Sequence, residues 1–140
     1  MIFTTQIKIH GYHLDHYGHV NNARWVELLE EARWRWLEHE IDLTAWDEVG
    51  QGLAVLSIAV NYRRPAHMHD TLDFRCHVTK LGGRSAVCRQ EVYREGGDEK
   101  LLDADVTFVF IDIASGKIRP RDETTGAMLE KYHHHEGRPS

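Results

Sequence analysis

Cysteine is scarce in this chain, and long apolar runs are absent. The 140 residues include two cysteines, Cys76 and Cys88, which are not spaced as a C-x-x-C pair. Two cysteines cannot build the disulfide framework of a small secreted domain. Both lie in segments of alternating polarity that are typical of strands, so we expect buried free thiols. No window approaches the roughly 18 apolar residues that a membrane-spanning helix requires.

An excess of positive charge is also lacking. The 17 Lys and Arg residues are outnumbered by 22 Asp and Glu residues, which gives a net charge of -5. Nonspecific binding to nucleic acid or to an anionic membrane needs basic residues gathered on one face, so neither partner is expected. Residues 1–10 contain Lys8 and His10 and lack the apolar core of a signal peptide. We therefore expect a cytoplasmic protein with no membrane insertion.

The length suits one domain with a single core. We predict this domain over residues 1–132 and a disordered, histidine-rich tail over residues 133–140. Alternating polarity predicts five strands, over 3–9, 53–62, 72–79, 84–94 and 101–113. Apolar residues at helical spacing predict one long helix over 23–38, and a short helical turn is expected from Thr44 to about Gly50. The fold class is therefore α+β, with an antiparallel sheet around one helix.

The segment 12–22, YHLDHYGHVNN, contains the most informative acid of the chain. Asp15 is its only carboxylate and should lie just ahead of the long helix. A helix start presents unpaired backbone N–H groups, which can hold an oxygen that gains negative charge while a carboxylate drives the attack. This combination suits acyl transfer to water. The alternative is that Asp15 and Asn21 or Asn22 are only turn and cap residues.

The same segment carries a family resemblance. Its D-x-x-G-H-V-N-N pattern, over residues 15–22, resembles the signature of hot-dog-fold acyl-CoA thioesterases of the 4-hydroxybenzoyl-CoA thioesterase-like family. The segments NYRRPA (61–66) and DIASGKIRP (112–120) also resemble that family, so the likeness covers nearly the whole chain. The opening resembles in particular the bacterial long-chain members associated with fatty-acid degradation.

The resemblance implies a hot-dog fold and hydrolysis of medium- to long-chain fatty acyl-CoA, with no metal or other cofactor. It implies that Asp15 is the catalytic carboxylate, which either activates a water or attacks the thioester carbon to give a mixed anhydride. Backbone N–H groups of Gly18, His19 and Val20 are expected to polarise the carbonyl, and Asn22 is expected at the substrate.

A homodimer or homotetramer is also implied. The physical reason is that one helix and one sheet leave a free sheet edge and flanking apolar surface. A symmetric partner covers both and completes a cleft for the acyl chain.

Four basic residues are candidates for binding the phosphates of coenzyme A. Arg63 and Arg64 precede Pro65 and should emerge at a strand end, where a guanidinium can pair with phosphate. Lys80 and Arg84 flank the predicted Gly82–Gly83 turn and form a second basic spot. The alternative for all four is a solvated charged surface.

Other side chains offer competing sites. The helix carries Glu27, Glu30 and Glu31, and some hot-dog enzymes place their acid there, although Glu31 is spaced to pair with Arg35. Histidines recur every third residue from His10 to His19, but glycines interrupt the segment and no cysteine is near, so a metal site is not expected.

Two other functions remain open at this stage. A hot-dog hydratase or dehydratase on acyl thioesters would also use an acid and a histidine, here Asp15 and His19. A noncatalytic acyl-thioester-binding protein would bind acyl-CoA without turnover.

Overall fold

The computed structural model describes residues 1–134, in which one sheet wraps around one long helix. The elements in chain order are β1 (Phe3–Lys8), a 3-10 turn (Gly11–His13), α1 (Asn22–Glu40), α2 (Leu43–Glu48), β2 (Gln51–Tyr62), β3 (Thr71–Leu81), β4 (Ser85–Arg94), β5 (Lys100–Asp112) and α3 (Glu123–Lys131). This is the α+β hot-dog architecture that the sequence predicts.

The five strands form one antiparallel sheet in the spatial order β1-β3-β4-β5-β2. Strands β3, β4 and β5 pair in succession, whereas β2 lies at the edge opposite β1 and pairs with β5. The two edges are therefore β1 and β2. The β2 edge exposes apolar side chains, because Val55 is 47% exposed and Leu56 is 62% exposed.

The core lies between α1 and the concave face of the sheet. The side chains at alternate positions on one face of β5 are all buried, namely Leu102, Ala104, Val106, Phe108 and Phe110. The apolar residues at helical spacing in α1 are buried as well, namely Trp25, Leu28, Leu29, Ala32 and Trp36. The apolar periodicity of the sequence is thus confirmed as the burial pattern of the fold.

One helix was not predicted. Asp122 caps α3 by accepting a hydrogen bond from Thr125 N–H at 3.0 Å, and Pro120 precedes the cap. An acid cap ahead of Glu123, with Lys131 in the last turn, is a helix signal that was available in the sequence. Gly126 and two threonines weaken the helical propensity of this segment, which is why periodicity alone missed it.

The first two residues of the predicted tail, His133 and His134, pair with the sheet. His133 forms a parallel bridge with Val78, and His134 N–H donates to Val78 O at 2.8 Å. These two residues belong to the folded part, and the remainder of the predicted tail, residues 135–140, lies outside the described residues. No helix within residues 1–134 is both long and apolar enough to cross a membrane.

Candidate active site

A loop that is closed by backbone hydrogen bonds places Asp15 just ahead of α1. Leu14 and Val20 form an antiparallel bridge, and Asp15 N–H donates to His19 O at 2.8 Å. Gly18 turns the chain with a φ of 77°, a conformation that other residues rarely adopt. Asn21 caps α1 by accepting from Ala23 N–H at 2.8 Å. Asp15 therefore lies where the sequence predicted it, just ahead of a helix N-terminus.

The two oxygens of the Asp15 carboxylate have different surroundings. Oδ1 accepts hydrogen bonds from Tyr17 N–H at 2.8 Å and from His19 N–H at 3.2 Å. Oδ2 accepts none from any residue between 1 and 134, and the side chain is only half-buried. The loop thus fixes the orientation of the carboxylate and leaves one oxygen available to a water or a substrate.

The N–H groups of Gly18, His19 and Val20, which were expected to polarise the carbonyl, all have acceptors within the protein. Gly18 N–H donates to Asp15 O at 3.1 Å, and Val20 N–H donates to Ala66 O at 3.0 Å. His19 N–H is held by the Asp15 carboxylate. None of the three is free to polarise a carbonyl, because each donor already has an acceptor within the protein. They shape the loop that holds Asp15, and the Val20 side chain is part of the core.

The backbone N–H groups without an acceptor lie in the next segment of the chain, the first turn of α1. Among the residues that the structure describes, Asn22 N–H and Arg24 N–H have no acceptor, as expected for the first turn of a helix. The Asn22 carbonyl accepts from Tyr62 O–H at 3.1 Å, which joins the start of α1 to the end of β2. Asn22 is exposed at the first position of α1.

Histidines surround the loop without forming a metal centre. The ring of His19 meets that of His67 edge-on, with centroids 4.9 Å apart. His13 is buried, and its Nδ1 accepts from His10 N–H at 2.9 Å. Burial, followed by the nearby His10, lowers the pKa of His13. In residues 1–134 no three His, Cys, Asp or Glu side chains converge as metal ligands.

The three candidate glutamates of α1, Glu27, Glu30 and Glu31, have surface partners. Glu27 pairs with Arg24 at 3.0 Å, and Glu31 pairs with Arg35 at 3.5 Å, the helical spacing that the sequence predicted. Glu30 accepts from Trp34 Nε1 at 3.1 Å. Ion pairing accounts for Glu27 and Glu31, while Glu30 also lines the cavity described below.

Only one of the two basic pairs lies at the Asp15 end of the sheet. Arg63 and Arg64 follow β2 there, and both of their N–H groups donate to Leu101 O. Lys80 and Arg84 are exposed at the β3–β4 hairpin, at the opposite end of the strands. The eleven-residue β3 makes the two ends roughly 30 Å apart. Within one chain, the two predicted basic spots are therefore not brought together.

Arg63 is already paired with an acid of the sheet. Its Nε donates to the buried Asp103 carboxylate, which also accepts from Asn61 at 2.9 Å. Burial raises the pKa of Asp103, but these hydrogen bonds outweigh it and hold the pKa below its ordinary value. Arg64 is freer, since its side chain is 65% exposed and its ion pair with Glu99 measures 3.4 Å. Arg64 is thus the better placed of the two for a phosphate.

A cavity of about 360 Å³ lies between the second half of α1 and the sheet. Its lining is largely apolar and includes the buried side chains Trp46, Met128 and Leu129. Trp34 and Val55 lie at its exposed rim, on the side of the β2 edge. A largely apolar cavity of this size is suited to an alkyl chain.

The one thiol in this cavity is unsuited to nucleophilic catalysis. Cys88 lines the cavity, and both cysteines are buried and free, as predicted. Burial raises the pKa of Cys88 to about 12 and that of Cys76 to about 11. The thiolate is the reactive form of cysteine, so Cys88 stays protonated and inert at neutral pH.

Asp15 and the cavity of the same chain are far apart. Tyr62 and the start of α1 lie at the Asp15 end of the sheet, whereas the cavity lies at the Gln51 end of β2. The helix rises 1.5 Å per residue, so Asn22 and Glu30, the first residue of α1 that lines the cavity, are separated by about 12 Å along the helix axis. One chain therefore presents an acid at one end of β2 and an apolar cavity at the other.

An antiparallel five-stranded sheet wrapped around one long helix is the hot-dog fold. The chain belongs to the thioesterase-like superfamily, whose model matches residues 10–129. It is 42% identical, over 113 residues, to the long-chain acyl-CoA thioesterase FadM of Escherichia coli (strain K12). That match covers 81% of this chain and 86% of the relative.

Solved structures show the same likeness. YbaW, a probable thioesterase from Escherichia coli, is 40% identical with a TM-score of 0.81, and the match covers 92% of this chain and 97% of that one. Slr0204, a 1,4-dihydroxy-2-naphthoyl-CoA thioesterase from Synechocystis, has a TM-score of 0.82 at 21% identity, with 92% and 96% covered. The second structure shows a shared fold alone.

Proposed function

We propose that this protein is an acyl-CoA thioesterase that hydrolyses medium- to long-chain fatty acyl-CoA to the free fatty acid and CoA. The observation that carries the proposal is the Asp15 carboxylate, with Oδ1 held by two backbone donors and Oδ2 open beside the start of α1. The 42% identity to a long-chain acyl-CoA thioesterase supports the substrate class. The two buried free thiols agree with a reducing, cytoplasmic setting in fatty-acid metabolism.

Asp15 supplies the attack on the thioester carbon. As a general base, Oδ2 takes a proton from water while the water oxygen bonds to the carbonyl carbon. As a nucleophile, Oδ2 itself bonds to that carbon and forms a mixed anhydride, which water then hydrolyses. In both routes the carbon–sulfur bond breaks, the sulfur leaves with the electron pair, and a proton from water ends on CoA. The free N–H groups of Asn22 and Arg24 are the candidate donors to the carbonyl oxygen.

A symmetric dimer completes the site in this proposal. The β2 edge is twelve residues long and exposes Val55 and Leu56, whereas the other edge, β1, is six residues of mixed polarity. Antiparallel pairing of two β2 strands about a twofold axis near Leu56 satisfies the open edge and covers its apolar side chains. The assembly is a dimer, or a dimer of two such dimers.

The twofold axis also explains the separation of acid and cavity. Antiparallel pairing brings the Tyr62 end of one β2 strand beside the Gln51 end of the other. Asp15 of one subunit then lies at the mouth of its partner's cavity. The acyl chain occupies that cavity, and the thioester lies at the boundary between the subunits. Lys80 and Arg84, at the same end as the cavity, become candidates for CoA phosphate together with the other subunit's Arg64.

Thiol release from acyl thioesters tests the function. The purified protein is expected to release CoA from palmitoyl-CoA, and the same acyl chain on acyl carrier protein compares the two carriers. Binding of palmitoyl-CoA without release of thiol would indicate a noncatalytic binding protein. Addition of water to an enoyl-CoA without release of thiol would indicate a hydratase. Either result would overturn the proposal.

A further inference from the structure

Three buried side chains in the cavity lining come from α2 and α3, the two helices that follow the core helix in the chain. These side chains are Trp46 from α2 and Met128 and Leu129 from α3, and all three are at least nine-tenths buried. Met128 and Leu129 are successive residues of one helix, so the position of α3 limits the space in the cavity. We define these three residues as the floor.

Buried hydrogen bonds hold the N-terminal end of α3. Thr125 Oγ1 accepts from Trp46 Nε1 at 3.2 Å and from Gln51 Nε2 at 3.0 Å. The same amide group of Gln51 donates to Asp122 at 2.9 Å, and its oxygen accepts from Asp122 N–H at 3.2 Å. Gln51 is 1% exposed and Thr125 is fully buried. Buried polar networks whose members are all paired specify one arrangement, so α2, α3 and the first residue of β2 are locked together.

A second set of contacts holds the C-terminal end of α3. Tyr132 O–H donates to Glu40, at the last residue of α1, and Lys131 Nζ binds the same carboxylate at 3.0 Å. Burial and the contact with Glu40 raise the pKa of Tyr132 to about 12. The Tyr132 ring also packs edge-on against Trp36 at 5.1 Å. Because contacts hold both of its ends, α3 cannot move away from the cavity without breaking buried contacts.

We infer that this floor sets the maximum length of the acyl chain, with Met128 as the residue that gauges it. The inference rests on the proposed function. Each methylene that enters an apolar cavity strengthens binding, by about fourfold per group. A methylene that meets the rigid floor instead forces overpacking, so each further methylene weakens binding. Specificity, measured as kcat/KM, should therefore rise with chain length and then fall sharply at the length that reaches Met128.

Substitutions at Met128 move this limit in both directions. Met128→Ala removes three heavy atoms and enlarges the cavity, so the best substrate should become longer by about two carbons. Met128→Trp fills part of the cavity, so the best substrate should become shorter by a similar amount. Thr125→Val keeps the side-chain shape but removes the acceptor shared by Trp46 and Gln51, and should broaden the length profile by loosening the floor. Leu72→Ala is the control, because Leu72 is fully buried and does not line the cavity.

The experiment measures kcat/KM for the wild type and the four variants with acyl-CoA from hexanoyl to stearoyl, with circular dichroism to confirm folding. The expected result is that relative kcat/KM for chains beyond the wild-type optimum rises at least tenfold in Met128→Ala, while Leu72→Ala keeps the wild-type profile. An unchanged profile in folded Met128→Ala, or in Thr125→Val if Met128 variants do not fold, overturns the inference alone. Hydrolysis of no acyl-CoA by the wild type overturns the proposed function and the inference with it.

Discussion

Asp15→Asn should abolish most of the hydrolysis while leaving the fold intact. The amide keeps an oxygen that accepts from Tyr17 N–H and His19 N–H, so the loop should hold its shape. It loses the charge that activates water or attacks carbon. General-base assistance is worth ~10²–10⁴-fold, so we expect kcat to fall at least 100-fold with little change in KM. Steady-state thiol release from palmitoyl-CoA measures both constants.

Asp42→Asn is a matched control for this substitution. Asp42 also accepts from two backbone N–H groups with one oxygen, at 3.0 and 3.4 Å, and it caps α2 away from the Asp15 loop. It should retain the wild-type kcat. If folded Asp15→Asn keeps more than about a tenth of the wild-type kcat, Asp15 is a turn residue only. Glu30, at the cavity, then becomes the candidate acid.

Leu56→Arg should separate the subunits and inactivate the enzyme. Leu56 lies at the bulge of β2 and is 62% exposed, so an arginine there is tolerated by a single chain. Across a twofold axis, however, two arginines face each other and repel. A lone subunit lacks the partner's Asp15 at its cavity mouth, and loss of this positioning should cost on the order of 100-fold in kcat/KM. Gel filtration with light scattering measures the oligomeric state, and thiol release measures the activity.

Ile118→Arg controls for the added charge. Ile118 is 55% exposed on the segment after β5, away from the β2 edge. This variant should elute like the wild type and retain its activity. A fully active monomer of Leu56→Arg would contradict the shared site.

The elements with a regular apolar period, the five strands and α1, could be predicted from the sequence. The five strands and α1 follow from apolar spacing, because burial on one face is set by the period of the backbone. The spatial order of the strands could not be predicted in the same way. The pairing of β2 with β5 joins residues such as Gln51 and Asp112, which are 61 positions apart. No local pattern encodes such a contact.

The candidate site shows the same division. The position of Asp15 before α1 is local, because Gly18 supplies the turn and Asn21 supplies the cap. The acceptors of the neighbouring N–H groups are not local, since Val20 N–H bonds to Ala66 O. The position of the acid therefore follows from the sequence, whereas the acceptors of the neighbouring N–H groups do not. The pairing of Arg63 with Asp103, 40 positions away, was beyond reach for the same reason.

Mixing two inactive variants tests the central claim, that Asp15 of one subunit acts on an acyl chain held in the cavity of its partner. Asp15→Asn lacks the acid, and Leu53→Trp fills the cavity that Leu53 lines. Each variant alone should hydrolyse almost no palmitoyl-CoA. In a co-refolded equimolar mixture, half of the dimers are mixed, and each mixed dimer has one intact site of two. The mixture should therefore recover about a quarter of the wild-type activity. Recovery of no activity beyond the sum of the two variants would contradict the account.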